Sequence, residues 1–444
     1  MKNVLYRARQ AAFSGFMGVL PSSQKKLTGE KAVLNVPSLL VQKKVSNVLL
    51  VTTPGMIRRG TLSELLAALE TAGVTAFVFT DVHPDPTIQN AQDAALCYWK
   101  NKCQAIVAVG GGSVMDCAKA AGALVANPGK SLKDMTGLMK VPSRMPYFIA
   151  VPTTAGTGSE VTAAAVSTEE IIEPVSGAAA LGEAALGEAA LDEAALGEAA
   201  LDEAASSTPA SITHYKHPID TPNIVPDVAI LDPLLTLTLP PSITADTGMD
   251  ALTHAVEAYT NRFCQPQTAR VALRAVENIF EYLPLAYADG SNVDARMKLL
   301  EASYDGGYAI THNFVGYVHA IAHAIGALYG VQHGRANAIL LPVVLENYGD
   351  SISDKLRTLA ATAGISASAC AGSVASQRTE DPFIDAIRKL NNSFGIPATF
   401  DCLKEENFDT IVERALKEAN PDYPVPVIWG REEILKVLRQ VVCK

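Results

Sequence analysis

The strongest constraint on the fold is an alternation of apolar runs and helical segments between residues 45 and 154. The apolar runs are VSNVLLVTT, VTAFVFTDV, AIVAVG and YFIAVPTT, and they are separated by segments such as GTLSELLAALETAG and TIQNAQDAALCYWKNKC. Strands that are apolar along most of their length are typical of a parallel sheet with helices on both faces. The pattern therefore predicts an α/β domain of the kind that binds nucleotides.

The second half of the chain has a different pattern. After about residue 240 the strand-like runs stop, and long helical patterns follow, such as SITADTGMDALTHAVEAYT and QTARVALRAVENIFEYLPLAY. The prolines of LDPLLTLTLPPS interrupt regular structure between the two halves. We therefore predict an α/β dinucleotide-binding domain over residues 1–238 and an all-helical domain over residues 239–444.

A low-complexity segment interrupts the first domain. Residues 181–205 are five tandem pentapeptides of the form LGEAA or LDEAA. In a helix a step of five residues advances by about 500°, so the leucines do not form a stripe that could be buried. We predict a solvated helical or disordered insertion at about residues 177–207.

Composition limits the possible partners and locations. Seven acidic residues lie in the repeat, and removing them from the net charge of −10 leaves about −3, with no basic patch for nucleic acid. No apolar run approaches the roughly 20 residues that cross a membrane, and the N-terminal residues lack the apolar core of an export signal. The seven cysteines contain no CxxC pair, which favours reduced thiols. We expect a cytoplasmic protein without nucleic-acid or membrane partners.

Two loops at strand ends are suited to a phosphate group. A glycine cluster follows the AIVAVG strand and begins a helix, where backbone amides and the helix dipole favour a pyrophosphate. The segment VPTTAGTGSE repeats this arrangement after the next strand. The alternative is that both segments are plain connectors. The residues at the two strand ends are Gly110, Gly111, Gly112, Ser113, Thr153 and Thr154.

Histidine spacing in the second half predicts a metal site. Asp250 and His254 are four residues apart in a helical pattern and so lie on one face, and His319 and His323 repeat the spacing. His333 follows ten residues later. A single histidine on an apolar helix face is more often a core residue, but clustering in two short windows favours ligands. Histidine and carboxylate ligands suit Fe²⁺ or Zn²⁺ equally.

Four motifs together carry a family resemblance. The segments GGGSVMDCAK, VPTTAGTGSEVT, TADTGMDALTHAVEAY and VHAIAHAIG with HGRANAILLP resemble those of the iron-containing (group III) alcohol dehydrogenases, over nearly the whole chain outside the repeat. The resemblance implies hydride transfer between a short-chain primary alcohol or aldehyde and NAD or NADP, in a homodimer or larger homo-oligomer. The metal ligands that it implies are Asp250, His254, His319 and His333.

The resemblance also implies roles for residues around the cofactor. His323 would be the catalytic residue that faces substrate and nicotinamide without binding the metal. Thr53 stands where many NAD-selective relatives have a ribose-binding aspartate, which favours use of NADP. The other implied cofactor-binding residues are Gly110, Gly111, Gly112, Ser113, Asp116, Thr153, Thr154, Thr157, Ser159 and Lys216.

Other functions remain open from the residues alone. Related reactions are those of a glycerol-dehydrogenase-like polyol oxidoreductase or a dehydroquinate-synthase-like lyase. A catalytically silent scaffold that displays the acidic repeat is a third possibility. The complete ligand set and the GTGSE motif favour the alcohol dehydrogenase.

Overall fold

The computed structural model describes residues 2–19, 24–174, 210–365 and 381–443. The predicted insertion at about residues 177–207 lies outside the described residues. No helix of the described ranges is both long enough and apolar enough to cross a membrane.

A six-stranded, all-parallel sheet forms the centre of the N-terminal half. Its spatial order is β1-β9-β6-β4-β2-β3. This confirms the predicted α/β fold and four predicted strands, whereas the short β1 and β9 were not predicted. The strands are β1 (Lys25–Thr28), β2 (Asn47–Val51), β3 (Thr75–Phe79), β4 (Ala105–Gly110), β6 (Tyr147–Pro152) and β9 (Val228–Leu231).

Both faces of this sheet are buried. Leu49 of β2 packs into a cluster on one face, and its neighbours Val48 and Leu50 pack into the cluster on the other face, because successive side chains of a strand alternate between faces. Burial on two sides explains the nearly continuous apolar runs. The surrounding helices are α2 (Val36–Gln42), α3 (Pro54–Arg58), α4 (Ser63–Thr71), α5 (Ile88–Lys100) and α6 (Gly112–Ala126).

A small second sheet follows the main one. Its strands are β5 (Gly137–Leu138), β7 (Ala164–Pro174) and β8 (Ala210–Asp220). β7 and β8 are antiparallel, and β8 also pairs with β5. The sequence did not predict this hairpin, which carries Lys216.

The C-terminal half is helical, as predicted. Beyond Leu231 the described residues contain no strand, apart from one isolated bridge between Phe400 and Val442. Its core is a single large apolar cluster. The helices are α7 (Pro241–Thr260), α8 (Pro266–Ala288), α9 (Val293–Asn313), α10 (Tyr317–Tyr329), α11 (His333–Tyr348), α12 (Ser353–Thr362), α13 (Pro382–Ser393), α14 (Phe408–Ala419) and α15 (Arg431–Val441).

The N-terminal helix α1 (Lys2–Val19) packs on the helical half. The guanidinium of Arg7 donates to the carbonyl oxygens of Val425 and Pro426, and Gln10 donates to the carbonyl oxygen of Tyr423. The predicted boundary at residue 238 falls between β9 and α7, whereas α1 packs on the helical half; the division into two domains stays a prediction.

Deletion of residues 177–207 should leave the fold intact. Pro174 at the end of β7 pairs with Ala210 at the start of β8, so the four residues left between them suffice for a hairpin loop. Shortening the loop about eightfold lowers its closure cost by about 2 kcal/mol. We expect an unchanged or slightly higher melting temperature by circular dichroism. An insoluble or strongly destabilised product would contradict the assignment of these residues as a dispensable insertion.

Candidate active site

The glycine turn lies where predicted, at the carboxyl end of a central strand. Gly110 ends β4, Gly111 caps α6 in an extended conformation, and Gly112 is the first residue of the helix. A β-carbon on Gly110 would lie 2.5 Å from a methyl of Val114, so a side chain has no room there. The backbone amides at this helix start suit a pyrophosphate.

The second loop packs directly against the glycine turn. The amide of Thr153 donates to the carbonyl oxygen of Gly110 at 2.9 Å. A β-carbon on Gly111 would lie 3.3 Å from Thr154, and one on Gly112 would lie 2.8 Å from Thr157. Because these glycines lack side chains, the glycine turn (residues 110–113) and the second loop (residues 153–159) pack closely and form one surface, here called the cradle. Its open backbone is the feature that fits a dinucleotide phosphate.

Asp116 joins α6 to the second loop and to β7. Its carboxylate accepts a hydrogen bond from the hydroxyl of Ser159 at 2.8 Å and one from the amide of Val166 at 3.1 Å. Burial raises the pKa of Asp116, while the nearby Lys119 opposes the rise. The structure therefore places Asp116 as a tie between the loops of the cradle.

Lys119 makes a second tie between the same elements. Its buried ammonium donates to the carbonyl oxygens of Thr162 and Ala164 at 2.8 and 2.9 Å, and to the hydroxyl of Thr162 at 2.9 Å. Burial lowers the pKa of Lys119 to about 8. This lysine holds the start of β7 against α6, a role that sequence reasoning did not assign.

Three more predicted cofactor residues lie around this cradle. Thr53 follows β2, the neighbour of β4, and its hydroxyl accepts the amide of Met56 at 3.4 Å as the N-cap of α3. Ser113 donates to the carbonyl oxygen of Pro84. Lys216 of β8 lies 3.6 Å from the carboxylate of Asp85. All three border the carboxyl edge of the sheet.

The four predicted metal ligands come together from three helices. Asp250 and His254 belong to α7, His319 to α10 and His333 to α11. One ligand atom from each residue lies within 4.8 Å of all the others. The carboxylate oxygen of Asp250 is 3.9 Å from Nε2 of His254, 3.8 Å from that of His319 and 3.4 Å from that of His333. Three nitrogens and one oxygen converging in this way suit Fe²⁺ or Zn²⁺.

Burial lowers the pKa of all three clustered histidines. Burial lowers the pKa of His254, and burial together with the neighbouring histidines lowers the pKa of His319 well below its usual value. A neutral imidazole has a free lone pair, which a metal ligand requires. The donor set therefore fits a divalent metal.

Glu257 contacts the ring nitrogen of His319 that faces away from the other donors. Its carboxylate lies 2.6 Å from Nδ1 of His319 and accepts the amides of Gly316 and Val318, each at 2.8 Å. A proton held on Nδ1 leaves Nε2 of His319 facing the other ligands. Burial raises the pKa of Glu257 to about 8, and a cation at the site would favour its ionised form.

Asn337 contacts the ligand atoms themselves. Its side-chain nitrogen lies 2.7 Å from the carboxylate oxygen of Asp250, 3.1 Å from Nε2 of His333 and 3.2 Å from Nε2 of His319. The residue is one helical turn after His333 in α11. Asn337 therefore helps to set the spacing of the donor group.

His323 lies beside the donor group and is not part of it. Its ring stacks on His333 with centroids 5.0 Å apart and meets the edge of His319 at 5.9 Å. Its Nδ1 is 2.8 Å from a carboxylate oxygen of Glu418 in α14. The structure thus places His323 beside the four clustered donors, and its role toward substrate stays a prediction.

Sequence reasoning missed three of these residues for different reasons. Glu257 is seven positions after Asp250 and three after His254, so helical spacing could have found it. Asn337 lies four residues after His333, so helical spacing could have found it as well. Glu418 lies 95 residues from His323, and no local signal joins them.

Comparison with known protein families gives two matches along the chain. Residues 23–175 match the family described as iron-containing alcohol dehydrogenase, and residues 244–442 match the Fe-containing alcohol dehydrogenase family, C-terminal. The two matches cover the cradle and the four clustered metal-ligand candidates respectively.

Individual relatives align along most of their length. The chain is 32% identical to alcohol dehydrogenase 4 of Schizosaccharomyces pombe over 406 residues, covering 90% of this chain and 84% of the yeast protein. It is 30% identical to the NAD-dependent methanol dehydrogenase of Bacillus methanolicus, covering 88% and 91%. A crystal structure of 1,3-propanediol oxidoreductase superposes with a TM-score of 0.79 at 31% identity, covering 94% and 97%. The chain therefore belongs to the iron-containing alcohol dehydrogenase family.

Proposed function

We propose that the protein transfers hydride between a short-chain primary alcohol or its aldehyde and NAD(P), at a site that holds Fe²⁺ or Zn²⁺. The convergence of Asp250, His254, His319 and His333 on one point carries this proposal. Buried polar groups normally have hydrogen-bond partners within about 3.2 Å, whereas the Asp250 oxygen lies 3.4–3.9 Å from the three histidine nitrogens, a spacing that suits ligands of one shared cation.

Each part of the site has a distinct task in this reaction. A divalent cation supplies the Lewis acidity that lowers the pKa of an alcohol hydroxyl, and the nicotinamide supplies the redox chemistry. Glu257 and Asn337 orient the ligand atoms. The turn at Gly111 and the loop at Thr154 hold the pyrophosphate, and Lys216 borders the same cleft.

The proposed substrates are small. Relatives named for alcohol, methanol and 1,3-propanediol support short primary alcohols as substrates. The proposal also places the enzyme in the cytoplasm, as a homodimer or larger homo-oligomer, following the family resemblance.

An assay of the purified protein tests the proposal. Under anaerobic conditions with Fe²⁺ or Zn²⁺, we expect NAD(P)-dependent oxidation of methanol, ethanol, 1-propanol or 1,3-propanediol and reduction of the matching aldehydes. Chelation should remove the activity and added metal should restore it. Glycerol serves as the control for polyol oxidation. No turnover of any member of the panel with either metal and either cofactor would refute the proposal and favour a silent scaffold.

A further inference from the structure

The partner of His323 on α14 has no role in the reaction described so far. Glu418 is in the last turn of α14, a helix that packs along α10. One of its carboxylate oxygens lies 2.8 Å from Nδ1 of His323 and accepts the hydroxyl of Tyr423 at 2.9 Å. Tyr423, Glu418 and His323 are thus linked in a row by two hydrogen bonds, and His323 is the member next to the clustered donors.

The hydrogen bond to Glu418 determines which nitrogen of His323 carries the proton. A carboxylate accepts hydrogen bonds and donates none, so Nδ1 of His323 must be the donor. In the neutral ring, Nε2 then keeps its lone pair. Within the described part of the protein Nε2 has no hydrogen-bond partner, which leaves it available to another molecule.

The ring needs such a support because it is not enclosed. The side chains of His323 and Glu418 are 26% and 29% exposed, so water could compete for either ring nitrogen. The hydroxyl of Tyr423 restrains the carboxylate, and the carboxylate restrains the ring. Because the ring is already fixed beside the clustered donors, less conformational entropy is lost when substrate binds.

We propose that Glu418 is the positioning residue for His323, and that it fixes the tautomer whose Nε2 accepts a hydrogen bond from the alcohol hydroxyl. This inference rests on the proposed function and adds a residue to it. Tyr423 holds Glu418 in place. The assignment resembles the second-sphere carboxylates that orient metal-bound histidines, here applied to a histidine that is not a ligand.

Two substitutions of Glu418 separate orientation from simple structural support. In the metal-loaded enzyme Glu418→Ala should lower kcat by about 10- to 100-fold with little change in KM for the alcohol. Glu418→Gln keeps an oxygen that accepts the Nδ1 proton, so it should restore most of kcat. Glu413→Ala, on an exposed position of the same helix, is the control and should leave kcat unchanged. Equal losses in the alanine and glutamine variants would overturn the proposal.

A double variant tests whether Glu418 acts through His323. Once His323→Ala is present, adding Glu418→Ala should lower kcat by less than about twofold, because coupled residues are not additive. A further loss as large as that in the wild-type background would show an independent structural role and overturn the proposal.

Nuclear magnetic resonance reads the tautomer without any turnover. With ¹⁵N-labelled histidine in the zinc-loaded protein, only eight histidines contribute signals, and His323→Ala assigns the one in question. We expect a protonated Nδ1 and an unprotonated Nε2 for His323 in wild type and in Glu418→Gln, and a mixed pattern in Glu418→Ala. An inactive wild type with this tautomer would refute the proposed function but not the role of Glu418. A wild-type His323 protonated at Nε2 would overturn that role.

Discussion

His254→Ala is expected to abolish metal binding and nearly all activity while the protein stays folded. His254 supplies one of four clustered donors, and its ring is buried against that of His319. Loss of a residue that only hydrogen-bonds to a metal ligand already lowers metal affinity or activity by about 10- to 100-fold. Loss of a ligand itself should therefore lower kcat/KM by at least about 100-fold. Metal content is measured by elemental analysis of the purified protein, and folding by circular dichroism.

The chain offers a matched control for this substitution. His312 is also buried and helical, but it lies on α9 and its Nδ1 pairs with the carbonyl oxygen of Tyr308. His312→Ala should keep bound metal and activity. A His254→Ala protein that remains fully active without metal would show that the donor group is not the catalytic site.

Thr53→Asp is expected to shift cofactor preference toward NAD(H) by about 10- to 100-fold, through charge repulsion of the NADP 2′-phosphate and hydrogen bonds to the ribose. The wild type should use NADP(H) as well as or better than NAD(H), because threonine lacks that charge. The substitution should not disturb the backbone, since Thr53 caps α3 and aspartate is an equally good N-cap. The measurement is kcat/KM for both cofactors in both proteins.

Arg59 provides an independent check on cofactor choice. Its guanidinium folds back over the start of α3, with one nitrogen 3.0 Å from where a β-carbon of Gly55 would lie. Arg59→Ala should weaken the binding of NADP(H) more than that of NAD(H), because only NADP(H) carries a 2′-phosphate with which the guanidinium can pair. A wild type that strongly prefers NAD(H), or a Thr53→Asp protein with unchanged preference, would refute the argument.

Most of the predicted strands and helices followed from local patterns of apolar residues in the sequence. Continuous apolar runs identified β2, β3, β4 and β6, and helical spacing placed Asp250 with His254 on one face of α7. The short β1 and β9 were missed because four residues carry too little pattern. A glycine cluster alone is weak evidence, and it was the position of these glycines between a strand and a helix that favoured a phosphate site over a plain connector.

The sequence alone determined which residue types could bind a metal and a phosphate, since spacing along one helix or at one strand end is a local property. Only the tertiary structure decided that α7, α10 and α11 bring their ligands to one point, because helix packing joins segments far apart in the chain. The same holds for Glu418, whose contact with His323 depends on the packing of α14 against α10. Side-chain periodicity fixes the face of a helix but not the neighbour that covers it.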